Sequence, residues 1–155
     1  MTRLATPEDC PDIRRVHLAA SKGPDSLERE NPNVLKWLDA RKDEDYLEEM
    51  QKEVFVVAER EDRIVGFGAI DLNSQVIESL FVDPAFTRQG IATQLVALME
   101  SLAVEAGLAS VELQAAGGAL TFYKKSGFEY ITQPPKDGPL WAQMRKTLPA
   151  STSDT

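Results

Sequence analysis

The stretch DPAFTRQGIATQLVALMESLA, from Asp83 to Ala103, sets a turn, a cation and a glycine directly before an apolar-striped segment. Asp followed by Pro signals a turn. Gly90 followed by Ile91, Leu95, Leu98 and Leu102 signals the mouth of a helix. The first turn of a helix leaves backbone N–H groups unpaired, and its dipole adds positive potential there. Anions bind at such mouths, so this spacing predicts a phosphate site. A second residue with chemical potential precedes it. In QVIESLFV, residues 75–82, alternation predicts Val76, Glu78, Leu80 and Val82 on one face and Ile77, Ser79 and Phe81 on the other. A carboxylate on a face otherwise lined by Val and Leu is unusual.

Other chemistries find little material. Cys10 is the one cysteine and His17 the one histidine, so a zinc site built from His and Cys clusters is not expected. Nothing near His17 resembles a nucleophile elbow, and Cys10 is far in sequence from the helix mouth. The 155 residues suit one domain, placed at 1–148 with a polar tail at 149–155. The formal charge of -8 argues against nonspecific binding to nucleic acid or an anionic membrane and is compatible with a cationic partner. The sequence has no apolar run of spanning length, and MTRLATPEDC lacks the apolar core of a signal peptide, so a cytoplasmic location is expected.

The elements that must position these residues follow from period and punctuation. RLA at 3–5 reads as a short strand and Pro7 to Ala20 as a helix, before a break at SKGPDS, 21–26. Pro32 to Glu53 reads as one or two helices with a loop near Lys42. VFVVAE (54–59), IVGFGAIDL (64–72) and QVIESLFV (75–82) read as a meander, with a tight turn at Glu61-Asp62-Arg63. Gly66 and Gly68 suggest bends or close approach of another group. Ile91 to Ala106 is a helix that Gly107 ends. SVELQA (110–115) is a strand, ALTFYKKSG (119–127) a short helix, and FEYITQ (128–133) and WAQMRKTL (141–148) strands around a hairpin loop, PPKDGP, at 134–139. The sum is a mixed, mostly antiparallel sheet flanked by helices, an α/β fold.

Two segments carry a resemblance. VDPAFTRQGIATQLV at 82–96 resembles the acetyl-CoA motif of the GCN5-related N-acetyltransferase (GNAT) family, with Val82, Pro84, Gly90 and Ala92 at matching places. Thr87 stands where the family has Arg or Gln, and Arg88 comes one place later. ALTFYKKSGFEY at 119–130 resembles the family's Phe-Tyr-x-x-x-Gly-Phe segment, with Gly118 where Asn is frequent.

The resemblance implies a single-domain GNAT-like fold with splayed central strands, SLFV at 79–82 and VELQA at 111–115. It implies acetyl-CoA as cofactor, its pyrophosphate held by N–H groups from Arg88 and Gln89 through Gly90 and Ile91 to Ala92. Thr93 could add a hydroxyl and Arg88 or Lys124 a charge, and at the cofactor-binding position Gly118 one hydrogen bond would be missing or pass through water. Leu80 and Val82 would lie along the pantetheine arm, and a backbone N–H near Phe81 would face the thioester oxygen. Glu78 is then the candidate base, Glu112 a weaker one, and Tyr123 the candidate acid for the departing thiolate. Phe122 and Phe128 suit the core or cofactor packing, and Trp37 and Trp141 either border an acceptor pocket or belong to the core.

The expected activity is direct acetyl transfer to a primary amine of a small molecule or peptide, by a monomer or homodimer, without nucleic-acid or membrane partners. The alternative is a non-catalytic acyl-CoA-binding or regulatory module, to which Thr87 and Gly118 give weight. The acidic run DEDYLEE at 43–49 suits either a cationic acceptor or plain solvation.

Overall fold

Apolar, β-branched and aromatic residues dominate VFVVAER and RIVGFGAID, which form strands β2 (Val54–Arg60) and β3 (Arg63–Asp71). Glu61 and Asp62 join them with φ of 55° and 64°. Two left-handed residues give a turn whose twist matches paired strands. Strand β4 (Val76–Val82) returns antiparallel to β3, and β1 (Thr2–Leu4) edges β2. The C-terminal half adds β5 (Ser110–Ala116), a two-residue β6 (Glu129–Tyr130) and β7 (Trp141–Thr147). One sheet results, in the order β1-β2-β3-β4-β5-β7-β6, antiparallel except where β4 meets β5. This computed structural model describes residues 1–23, 31–133 and 141–150. The loop expected at 134–139, residues 24–26 of the break at 21–26, and residues 151–155 of the tail lie outside the described residues.

Helices cover both faces. On one face α1 (Cys10–Ser21) and α3 (Asp43–Glu49) set Ile13, Val16 and Tyr46 against Phe55, Val57 and Phe67. Helix α2 (Pro32–Ala40) begins where the Asn31 side chain accepts the N–H groups of Asn33 and Val34, a cap that satisfies two orphan donors. The break expected near Lys42 separates α2 from α3. On the other face α4 (Ile91–Glu105) and α5 (Gly118–Lys125) cover Val56, Val65, Ile70 and Leu113. Among the described residues no helix is long and apolar enough to cross a membrane.

The structure corrects the face assignment in β4. Ser79 pairs with Ala69 and Ile77 with Ile70, so Glu78 is an extra residue in the strand. Such a bulge inverts the alternation beyond it. Ile77 consequently packs in the same cluster as Leu80 and Val82, not with Phe81, which belongs to the opposite cluster. Alternation counted along the sequence cannot see a residue that the partner strand skips.

The stripe of α4 also differs in detail. Ile91 and Leu95 are buried as expected, but Met99 and Ala103 complete the buried row, while Leu98 and Leu102 are half-buried. The reason lies in β3. A Cβ at Gly68 would come within 2.7 Å of Met99 Cε, and one at Gly66 within 3.0 Å of Ile91 Cγ2 and 3.2 Å of Leu95 Cδ1. The two glycines let α4 lie almost on the strand backbone. The end of α4 is set locally. Gly107 takes φ 81°, its N–H donates to Val104 O, and the Leu108 N–H donates to Ala103 O. This pair of hydrogen bonds closes the helix.

A branched side chain at Gly66 has nowhere to go without moving α4. Gly66→Val is expected to lose roughly 1–3 kcal/mol of stability, as overpacked cores do. Gly68→Ala should cost less, because the flexible Met99 thioether can swing aside. Urea unfolding midpoints of the two variants and the parent check the order.

Candidate active site

β4 and β5 meet at one bridge, Val76 with Glu112, where the Glu112 N–H donates to Gln75 O at 2.8 Å. Beyond it the strands part. β5 stays paired with β7 from Ser110 to Ala116, and β4 stays paired with β3. The Asp83 N–H donates to Val65 O at 2.7 Å. Antiparallel partners alternate between bonded and unbonded pairs. The N–H groups of Ser79 and Phe81 therefore turn toward β3, and those of Leu80 and Val82 face the gap. The backbone donor expected near Phe81 moves to these two neighbours. The Phe81 ring lies instead on the α1 face, 4.5 Å from His17 and 5.5 Å from Phe67.

The chain leaves β4 through a pinned turn. Asp83 is buried, accepts the Ala85 N–H at 2.9 Å and pairs with Arg15 at 3.4 Å. A 3-10 turn, Pro84–Phe86, follows. The Thr87 hydroxyl donates to Pro84 O at 3.3 Å, so this residue serves the turn. Arg88 and Gly90 both take left-handed backbone, at φ 64° and 77°, and Gly90 starts α4. Among the described residues no side chain caps the helix. Its first internal bond runs from the Gln94 N–H to Gly90 O at 3.0 Å, which leaves the N–H groups of Ile91, Ala92 and Thr93 unpaired. They border a cleft of about 350 Å³, whose lining also includes Val82, Phe86, Thr87, Arg88, Gly90 and Phe122. A Cβ on Gly90 would meet open space. The helix mouth is thus uncapped, cationic in potential and accessible.

The remaining candidate residues take these places. Gln89 is exposed and stands off the cleft lining. Leu80 packs half-buried on the core. Gly118 opens α5 at an exposed position, and Lys124 lies over the Tyr130 ring, 4.6 Å from its centroid.

Tyr123 is held by the end of α5. Gly127, at φ 99°, donates its N–H to Lys124 O, and Phe128 donates to Tyr123 O at 2.9 Å. This helix ending brings the residue after the glycine back onto the helix. The spacing Tyr-x-x-x-Gly-Phe has this physical content: the Phe128 ring lies 5.4 Å from the Tyr123 ring. Tyr123 is buried in the core cluster, outside the lining of the helix-mouth cleft, and its hydroxyl has no hydrogen-bond partner among the described residues. Burial pushes the phenol well above its ordinary value.

A second cavity, about 430 Å³, opens beside the single bridge. Glu78, Glu112, Gln114 and Gln143 bring polar groups to it, and Val76, Ile77 and Leu113 its apolar wall. Bulging places Glu78 here. Sequence reasoning missed Gln114 and Gln143, although their alternation with buried Leu113, Ala115, Ala142 and Met144 marks an open sheet face. The Glu112 carboxylate lies 3.5 Å from Arg145 across the ladder.

The helices on this side carry a polar cluster. Arg41 is buried between two rings, 4.2 Å from the Tyr46 centroid and 4.7 Å from that of Trp37, and binds Glu49 at 2.6 Å. Tyr46 meets His17 Nδ1 at 2.9 Å. Burial, then the nearby Arg41 charge, lowers the His17 pKa to about 4, so the ring is neutral at neutral pH. Trp37 and Trp141 are about half exposed, which excludes both from the core.

Residues 26–148 match the family model described as acetyltransferase (GNAT) domain. An uncharacterized N-acetyltransferase of Methanocaldococcus jannaschii is 30% identical over 139 residues, covering 82% of this chain. The chain spans 59% of that relative's length. A PaiA N-acetyltransferase from Thermoplasma acidophilum, solved in complex with coenzyme A, superposes with a TM-score of 0.80 at 18% identity, covering 95% of this chain and 98% of that one. A GCN5-related N-acetyltransferase from Rhodopseudomonas palustris gives 0.79 at 20% identity, covering 96% and 95%. Ard1 from Thermoplasma volcanium gives 0.72 at 22% identity, covering 96% and 97%.

The unpartnered hydroxyl of Tyr123 contributes little to folding. Tyr123→Phe is expected to leave stability within ~1 kcal/mol of the parent, since the ring stays and only a hydroxyl without a partner among the described residues is removed. Denaturant midpoints measure this; a larger loss would reveal a structural hydrogen bond.

Proposed function

Because the chain belongs to the GNAT acetyltransferase family, we propose that it moves an acetyl group from acetyl-CoA to a primary amine, with donor and acceptor bound together. One observation carries this reading. The gap between β4 and β5 borders the cavity that holds Glu78, and Val82 at the far end of β4 belongs to the uncapped helix-mouth cleft. The coenzyme A bound by the PaiA structure supports the choice of donor.

When bound, acetyl-CoA supplies the thioester carbonyl that an amine attacks. The N–H groups of Ile91, Ala92 and Thr93, backed by the dipole of α4, would hold its pyrophosphate. Leu80 and Val82 present N–H groups to the gap, where they would bind the pantetheine arm and stabilise charge growing on the thioester oxygen. Alkylamines have pKa values near ~10.4 and arrive protonated. Glu78 attracts the ammonium and takes one proton before attack; the nitrogen sheds a second to solvent once the nitrogen–carbon bond forms, and solvent restores the proton that Tyr123 gives up. Tyr123 stays protonated because burial holds its pKa up, so it can donate to the departing thiolate. The acceptor is a small molecule or peptide bearing a cationic amine, since Glu78 and Glu112 both line the cavity.

The reading is tested by incubating the protein and acetyl-CoA with amino acids, alkyl mono- and diamines, and peptides with free N-termini. Mass spectrometry should find one added acetyl group on at least one amine, dependent on protein. With that amine, Tyr123→Phe should lower kcat roughly 10²-fold while acetyl-CoA affinity holds. Parental kcat would leave Tyr123 as packing and make water or the ammonium the acid.

A further inference from the structure

Lys146 stands where the pattern of β7 calls for an apolar residue. Along this strand Ala142 and Met144 are buried and Trp141, Gln143 and Arg145 are exposed, and Leu148 resumes the buried side just beyond it. Lys146 shares that side, and its side chain is 28% exposed. Its ammonium is engaged in two directions. Nζ lies 2.6 Å from Glu100 Oε1 on α4, a side chain 16% exposed, and donates to Ser126 O at 2.8 Å. Ser126 ends α5. Its N–H donates to Phe122 O at 3.0 Å and to Tyr123 O at 3.1 Å, and its hydroxyl donates to Phe122 O. The fit is close, since a Cβ on Gly127 would come within 3.1 Å of Lys146 Cε. One cation therefore ties β7, α4 and the end of α5 together.

Stability does not require a charged tie here. Taking an ammonium and a carboxylate from water costs energy that a Met and Leu pair of similar volume avoids. What the ion pair adds is direction. α5 has eight residues, of which Leu120 and Tyr123 are buried. A helix seated on two side chains can tilt about them. A charge-assisted bond to the carbonyl past its last turn removes that freedom, and a cation there also suits the helix dipole. We propose that Lys146 and Glu100 are positioning residues for acyl transfer: they brace the end of α5 against α4 and so hold the Tyr123 hydroxyl where the thiolate departs. The inference rests on the acyl-transfer reading above, in which Tyr123 gives that thiolate its proton. Lys146 and Glu100 line neither the helix-mouth cleft nor the cavity beside the strand gap, so they act through Tyr123. α4 is the element to brace against, because Glu100 lies about two turns along it from the unpaired N–H of Thr93. One ion pair thereby sets the acid against the phosphate anchor.

Replacing both partners by apolar groups separates position from stability. The double variant Glu100→Leu with Lys146→Met should keep a urea midpoint at or near the parent's. Fluorine NMR on protein carrying fluorotyrosine at its three tyrosines reads the ring directly, without any acceptor. The Tyr123 signal, assigned by its loss in Tyr123→Phe, should shift or broaden in the double variant, while that of Tyr46 on the opposite face holds. With the amine acetylated in the screen, the double variant should lower kcat roughly tenfold and keep the acceptor KM. Added to Tyr123→Phe it should cost nothing further, because the two changes remove one contribution. Glu100→Gln, which keeps the shape and removes the charge, should move the signal and kcat the same way, and it carries the test if the double variant unfolds. An unmoved Tyr123 signal, a parental kcat, or a full additional loss in the Tyr123→Phe background overturns the positioning role alone. Acetylation of no amine, or parental kcat in Tyr123→Phe, overturns the transfer reading or its acid step, and the positioning role falls with it.

Discussion

A β-sheet edge inside a protein must find partners for its N–H and C=O groups. β4 and β5 break that rule after one bridge. Each strand is fully engaged on its other side, β4 with β3 and β5 with β7. The gap is therefore held open by two ladders that cannot both shift to close it. The polar groups of Leu80 and Val82 remain available to a ligand that supplies what a neighbouring strand would. The rest of the site is arranged around this one omission.

The bulge at Glu78 does two things at once. It inverts the facing of β4, so Ile77, Leu80 and Val82 all pack under α4. It also brings a carboxylate to the opposite face, beside Glu112, Gln114 and Gln143. Without the extra residue, Glu78 would have to be buried among apolar side chains at a high desolvation cost. α4 is held by close contact at Gly66 and Gly68, on the strand that precedes β4. The same short region thus sets the helix mouth, the strand gap and the carboxylate against one another.

Charge is distributed to match. The chain has 25 acidic residues against 17 basic ones. Near the helix mouth, Arg15 and Arg63 neutralise the buried Asp83, and Arg88 contributes a further cation beside the unpaired amides. Across the sheet the balance reverses. Glu53 feels the negative charges of Glu78, Glu49 and Asp71, opposed by Arg41, whose guanidinium is already bound to Glu49. One side suits an anion and the other a cation.

Much of this was legible in the chain. The period of Ile91 and Leu95, the turn at Asp83-Pro84 and the glycine before the helix specified α4 and its open mouth, because local sterics and capping decide those features. Gly107 and Gly127 marked helix ends for the same reason, and the Tyr123–Phe128 spacing followed from the second of them. Other features needed the partner strands. Whether Leu98 or Met99 is buried depends on a missing Cβ at Gly68, on a different strand. Whether Glu78 faces the core depends on Ser79 and Ile77 pairing with adjacent residues of β3. The direction of the Phe81, Leu80 and Val82 amides follows from the same register. The sequence by itself determined the elements and the uncapped helix mouth, which local interactions specify. Tertiary structure alone decided that β4 and β5 share a single bridge, which amides of β4 face the gap, and the facing of Glu78, because register and bulges are set by contacts between segments distant along the chain.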